Sequence, residues 1–201
     1  MKRILSVLCL VALGVSSLRA QDITAAEREK AVKYLEKTRD GVVAATKGLS
    51  EAQWNFKPAT NRWSVAECAE HIAAAEDMLM GMVHEQLMKA PAREAGEDVK
   101  AIDEMVLKNI PDRTVKAQAP EPLIPTNRFK TPKESLKHFE ESRAKTIQFL
   151  KDTKDLRAHA TDSPLGKKLD GYEWVLFVAA HSERHTKQML EVKADPGFPK
   201  K

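Results

Sequence analysis

The chain has 201 residues, with 42% hydrophobic and 31% charged, which fits one globular domain at roughly 150 residues per domain. That balance excludes collagen, low-complexity disorder and a multi-span membrane protein. The formal net charge is +4, but Lys2, Arg3 and Arg19 stand in an acid-free opening stretch, and without them 30 basic residues face 29 acidic ones. A nearly neutral remainder carries no electrostatic footprint for nucleic acid or a membrane surface.

Met1-Lys2-Arg3, the apolar run Ile4 to Val15 and the small residues ending at Ala20 have the order of a secretory signal peptide, with cleavage expected after Ala20. The apolar run is shorter than the ~20 residues that cross a bilayer. Leu8, preceding Cys9, stands where a lipoprotein signal carries a small residue. The expectation is therefore a signal peptide over 1–20 and a domain over 21–201, exported to the periplasm or medium and free of the membrane. Cys68 is then the remaining cysteine, so no intramolecular disulfide forms and the core alone must hold the fold.

Four long segments carry helical periodicity, and no segment reads as a strand. The first opens at Thr24-Ala-Ala-Glu27, a capping-box spacing, carries Val32, Leu35, Val42 and Leu49 on one face, and ends at Gly48,. Residues 50–63 read as a loop. A second capping box, Ser64-Val-Ala-Glu67, starts a helix running to about Met88, with Trp63 placed to staple onto its first turn,. A long connection follows over 91–130, with one short amphipathic helix suggested by Val99, Ile102, Val106 and Ile110. Its length suits a crossover or a lid. The third helix spans about Pro132 to Asp152, and the fourth runs from a cap at Asp170 to Lys193. The predicted fold is all-α, a four-helix bundle with a long connection between helices 2 and 3.

His181 and His185, at i and i+4 in the fourth helix, project from one face close enough to share a metal ion. Ser182 and Arg184 stand where zincin and inverted-zincin motifs need glutamate. Glu183 lies about 200° round the helix from His181 at ~100° per residue, so no base comes from this motif. Trp174, Phe177 and Gln188 share the histidine face, which points it inward, where neutral imidazoles need partners. The facing ligand is expected from the second helix, at His71, whose stripe holds Glu67, Ala75, Met78 and Met82. His84 falls on a flanking face, His138 among charged neighbours reads as surface, and His159 falls in a loop. A capped or solvated histidine pair is the competing reading. Glu67 could be a cap partner or a base, and Gln188 could orient a ligand or fill the core. Cys68 reads as a small core residue.

Trp63-Ser-Val-Ala-Glu-Cys-Ala-Glu-His71-Ile and Phe177-Val-Ala-Ala-His181-Ser-Glu-Arg-His185-Thr-Lys-Gln188 resemble the DinB-like superfamily of small metalloproteins. Gly48-Leu-Ser-Glu-Ala-Gln-Trp-Asn-Phe-Lys-Pro58 and Glu191-Val-Lys-Ala-Asp-Pro196 extend the resemblance over roughly Ile23 to Pro199. It implies a four-helix bundle holding a divalent metal, zinc or nickel, on three histidines that map to His71, His181 and His185. Three imidazoles leave a coordination position open, the pattern of catalytic sites. The function expected is a metal-dependent hydrolase or thiol-dependent transferase acting on a small molecule. The alternatives are a non-catalytic metal-binding or stress-associated bundle, and a homodimer through an exposed bundle face.

Overall fold

The computed structural model describes residues 22–94 and 96–200; the expected signal peptide lies outside them. Among the described residues are six α-helices: α1 (Ala25–Thr46), α2 (Glu51–Asn55), α3 (Val65–Glu85), α4 (Val99–Asn109), α5 (Pro132–Asp152) and α6 (Gly171–Lys193). The starts of α1, α3 and α6 are set by reciprocal capping boxes at Thr24/Glu27, Ser64/Glu67 and Asp170/Glu173. Each box satisfies amides that the first helical turn leaves orphaned. Beyond α1, Gly48 takes φ 69°, a left-handed conformation that glycine adopts without Cβ strain.

Helices α1, α3, α5 and α6 form the bundle, as the periodicity predicts. Both α1 and α3 pack on α5 and on α6. Two of the three pairs consecutive in the chain, α1 with α3 and α5 with α6, therefore lie across the bundle diagonals, while α3 and α5 pack side by side. Bundles with short loops place consecutive helices side by side, so here residues 47–64 and 153–170 must cross the ends of the bundle. The first crossing contains α2, capped by Ser50 and Gln53, where the sequence suggests only loop. The second contains a hairpin that the sequence reading misses: β1 (Ala160–Asp162) pairs antiparallel with β2 (Lys168–Asp170). Three-residue strands are too short to show alternation. They are held by the Ser163 to Lys167 turn, with Gly166 at φ 68°, and by the fully buried Leu169. Helix α3 also stops at Glu85, and Leu87–Lys89 forms a 3-10 turn instead of a further α turn.

The connection between α3 and α5 carries α4 as expected, and α4 packs on α6. Its Ile102 and Val106 join a core cluster with Leu35, Val175 and Val178. A second cluster, holding Val42, Trp54, Cys68, Ile72 and Met189, fills the other end of the bundle. Among the described residues no helix is long and apolar enough to cross a membrane.

At the centre lies Arg143 of α5, fully buried. Its guanidinium donates to both carboxylate oxygens of Glu76 on α3 (2.8 and 2.7 Å), to Leu35 O and Thr38 Oγ1 on α1, and to Ser182 Oγ on α6. Thr146 Oγ1 also donates to Glu76. One side chain thus ties four helices together. Breaking such a pair strands a buried charge at a cost of about 3–5 kcal/mol, whereas replacing both partners by apolar groups is often neutral. Arg143→Met is expected to destabilise by about that amount, and Arg143→Met with Glu76→Leu by much less, read from urea unfolding of each variant. Equal losses in the two variants would contradict this account.

Candidate metal centre

His71 leaves α3 in its second turn, and His181 and His185 stand one turn apart on α6. Antiparallel packing of these helices brings the three rings together. His71 Nε2 and His185 Nε2 each lie 3.2 Å from His181 Nε2, and all three nitrogens fall within 4.8 Å of one another. With metal–nitrogen bonds of about 2.0–2.1 Å, nitrogens on one ion stand about 2.9 Å apart at octahedral angles and about 3.4 Å at tetrahedral ones. The two 3.2 Å separations fall between those limits.

The outer ring nitrogens determine which form of each imidazole is present. His71 Nδ1 lies 2.8 Å from the carbonyl oxygen of Leu123, and His185 Nδ1 lies 2.8 Å from Gln188 Oε1. Both oxygens only accept, so each Nδ1 carries the proton and each Nε2 presents a lone pair. Those lone pairs converge on His181 Nε2, which can donate to only one of them. A cation between the three removes that conflict, so the donor set suits a divalent metal.

Burial lowers the proton affinity of all three rings: His71 falls below the ordinary histidine value, His185 far below it, and His181 to about 3. After burial, the His71 imidazole and the positive charges of Arg184 and Arg143 act on His181 in the same direction. Arg128 acts on His71, and Arg113 on His185. The rings therefore stay neutral, the state that binds metal.

His71 and His185 are buried and His181 is half-buried, leaving one side of the cluster toward solvent. Trp63, at the edge of the first crossing, lies against the cluster with its ring centroid 4.8 Å from His71 and 6.0 Å from His185. Phe177 stacks on His181 at 6.3 Å from the other side. The strap formed by residues 110–128 is fastened on both sides of the histidines. Arg184 donates to the carbonyls of Ile110, Asp112 and Val115, and Arg113 reaches Gln188 and Glu191. On the α3 side Leu123 is buried with Ala74 and Ala75.

The other sequence candidates separate clearly. Glu67 is occupied by its capping box and by Lys57 at 2.7 Å, so it serves the helix terminus, and no base comes from it. Gln188 orients His185. Cys68 is fully buried, and burial pushes its thiol well above the ordinary range, leaving it an inert core residue. Met78, placed on the inward stripe by periodicity, is 40% exposed, because the strap meets α3 at Ala74 and Ala75 and does not extend over it. His84 is exposed against Phe149, His138 pairs with Asp77 at 2.6 Å, and His159 bonds the Ala90 carbonyl. The contributions of Leu123 and of Trp63 escape sequence reasoning, the first because a backbone carbonyl has no residue signature. Two surface cavities, of about 520 and 260 Å³, lie elsewhere, along α1 beside Lys151 and between Ala90–Glu94 and the hairpin.

The profile of the DinB superfamily matches residues 34–189. The chain belongs to the DinB superfamily. Uncharacterized protein YuaE of Bacillus subtilis (strain 168) is 30% identical over 150 residues, covering 73% of this chain and 87% of its own. Among solved structures, YfiT from Bacillus subtilis superposes with a TM-score of 0.57 at 16% identity, over 88% of this chain and 91% of that one. YfiT is described as a probable metal-dependent hydrolase with an unusual four-helix bundle topology. That likeness establishes the shared bundle of this DinB-family chain.

Because folding lowers the proton affinity of His181, the unfolded chain binds that proton first as pH falls below about 6.5, and stability is lost across that window. The metal-free protein is expected to lose more stability between pH 7 and pH 5 than its His181→Gln variant, read from urea midpoints at both values. An equal loss would show that this imidazole is not held neutral by the fold.

Proposed function

We propose that this DinB-family protein is a metal-dependent enzyme, with His71, His181 and His185 holding one zinc or nickel ion and a small molecule as substrate. The observation that carries the reading is the convergence of three Nε2 atoms, those of His71 and His185 presenting lone pairs fixed by outer hydrogen bonds, at a cluster with one half-buried side. Closed structural sites use four protein ligands, whereas catalytic sites keep a position open. A bound divalent ion would supply Lewis acidity and acidify a water toward neutral pH. The chain's own residues do the positioning: Leu123 O and Gln188 hold two rings, while Trp63 and Phe177 wall the cluster with apolar surface. Among the described residues no free carboxylate lies at the triad, since Glu67 and Glu70 are both engaged elsewhere. Hydrolysis, which needs no thiol, suits an exported domain better than thiol-dependent transfer, and export through a signal peptide over 1–20 belongs to the same proposal.

His181→Ala is expected to abolish stoichiometric metal in elemental analysis after equilibrium dialysis, and His138→Ala to retain it. Equal loss from both would overturn the ligand assignment. Chelation is expected to leave helicity intact by circular dichroism. A cooperative loss of helix would favour the alternative of a purely structural ion.

A further inference from the structure

Glu70 stands next to His71 on α3 and is 6% exposed, yet it faces away from the triad chemistry. Its Oε1 accepts from the backbone N–H of Thr126 at 2.6 Å and from Arg128 Nε at 3.0 Å, and its Oε2 accepts from the N–H of Asn127 at 3.0 Å. Asn127 has φ 60°, a left-handed conformation uncommon outside glycine, although asparagine tolerates it. Two successive amides turned onto one carboxylate thus hold a turn that the backbone would not favour alone. Arg128, fastened by the same carboxylate, donates onward to the carbonyls of Pro122 and Ile124. Leu123 lies between those two residues, and its carbonyl accepts from His71 Nδ1. Glu70 is therefore joined to its neighbour His71 by a closed ring of hydrogen bonds through residues 122–128.

We propose that Glu70 is a positioning residue for the metal centre, locking the 122–128 turn so that Leu123 O aims His71 Nε2 at the ion and couples metal binding to strap closure. The inference rests on the metal reading above. Partners that orient a ligating histidine are worth about 10–100-fold in metal affinity. Coupling of this kind is reciprocal, so an ion that binds the closed strap more tightly must close the strap by the same factor. The strap becomes a gate whose opening loosens the hold on the metal.

The test measures Zn²⁺ affinity by competition with a chromophoric chelator, and amide hydrogen exchange over 122–128 with and without Zn²⁺. Wild type, Glu70→Gln and His181→Ala are compared, with Asp77→Asn as a control on the same helix. In Glu70→Gln one carboxylate oxygen becomes an NH₂ group facing N–H donors. Affinity is expected to fall about 10–100-fold, and Zn²⁺ is expected to slow exchange over 122–128 in wild type and Asp77→Asn but much less in Glu70→Gln. Unchanged affinity in Glu70→Gln, or exchange over 122–128 insensitive to Zn²⁺ in wild type, overturns the coupling while the metal reading stands. Metal uptake that His181→Ala does not reduce overturns the metal reading itself. Should Glu70→Gln not fold, Arg128→Gln removes the outer half of the same clasp, with a smaller loss expected in the same direction and no loss overturning the proposal.

Discussion

The buried contact between Arg143 and Glu76 constrains everything else in this bundle. A guanidinium and a carboxylate withdrawn from water carry a desolvation penalty that only near-complete hydrogen bonding offsets, and here the partners come from all four bundle helices. The arrangement therefore tolerates little sliding. A slip of one turn along α3 or α6 would be about 5.4 Å, large against the 3.2 Å separations of the histidine nitrogens. Glu76 lies five residues beyond His71 on α3, and Ser182 follows His181 on α6, so the pair that fixes helix offset acts beside the cluster that needs it.

The diagonal order of the helices explains why connections complete the site. Crossing segments must pass over the bundle ends, and the first of them delivers Trp63 to the histidines. The strap after α4 reaches from α6 to α3 and supplies the carbonyl that orients His71. At the other end Arg93 and Arg157 bind Asp170, Glu173, Asp103 and Glu27, joining the start of α6 to α1, to α4 and to the loops. Polar networks thus close the bundle at its centre and at both ends, with apolar clusters between them.

Much of this was legible in the residues. Capping boxes are local chemistry, spaced three residues apart, and they place the starts of α1, α3 and α6 to the residue. The i, i+4 spacing of His181 and His185 follows from helical pitch alone, and the apolar stripe around them points inward. His71 followed from a facing argument and the family resemblance together. The hairpin of β1 and β2 was not legible, since three-residue strands have no measurable period. Glu67 and Met78 show the same limit from the other side. Periodicity says which face a residue is on, but not whether a cap claims its side chain or a neighbour covers that face.

The sequence by itself determined where the main helices begin, which stripes are apolar, and that His181 and His185 share one helical face, because each follows from interactions within a turn or two of backbone. Only the tertiary structure decided that α1 and α3, and likewise α5 and α6, sit on diagonals, that Arg143 ties all four bundle helices together, and that a leucine carbonyl from the strap fixes the tautomer of His71. Those outcomes depend on contacts between residues far apart in the chain, made by backbone atoms that every residue shares and by buried charges whose partners no local spacing reveals.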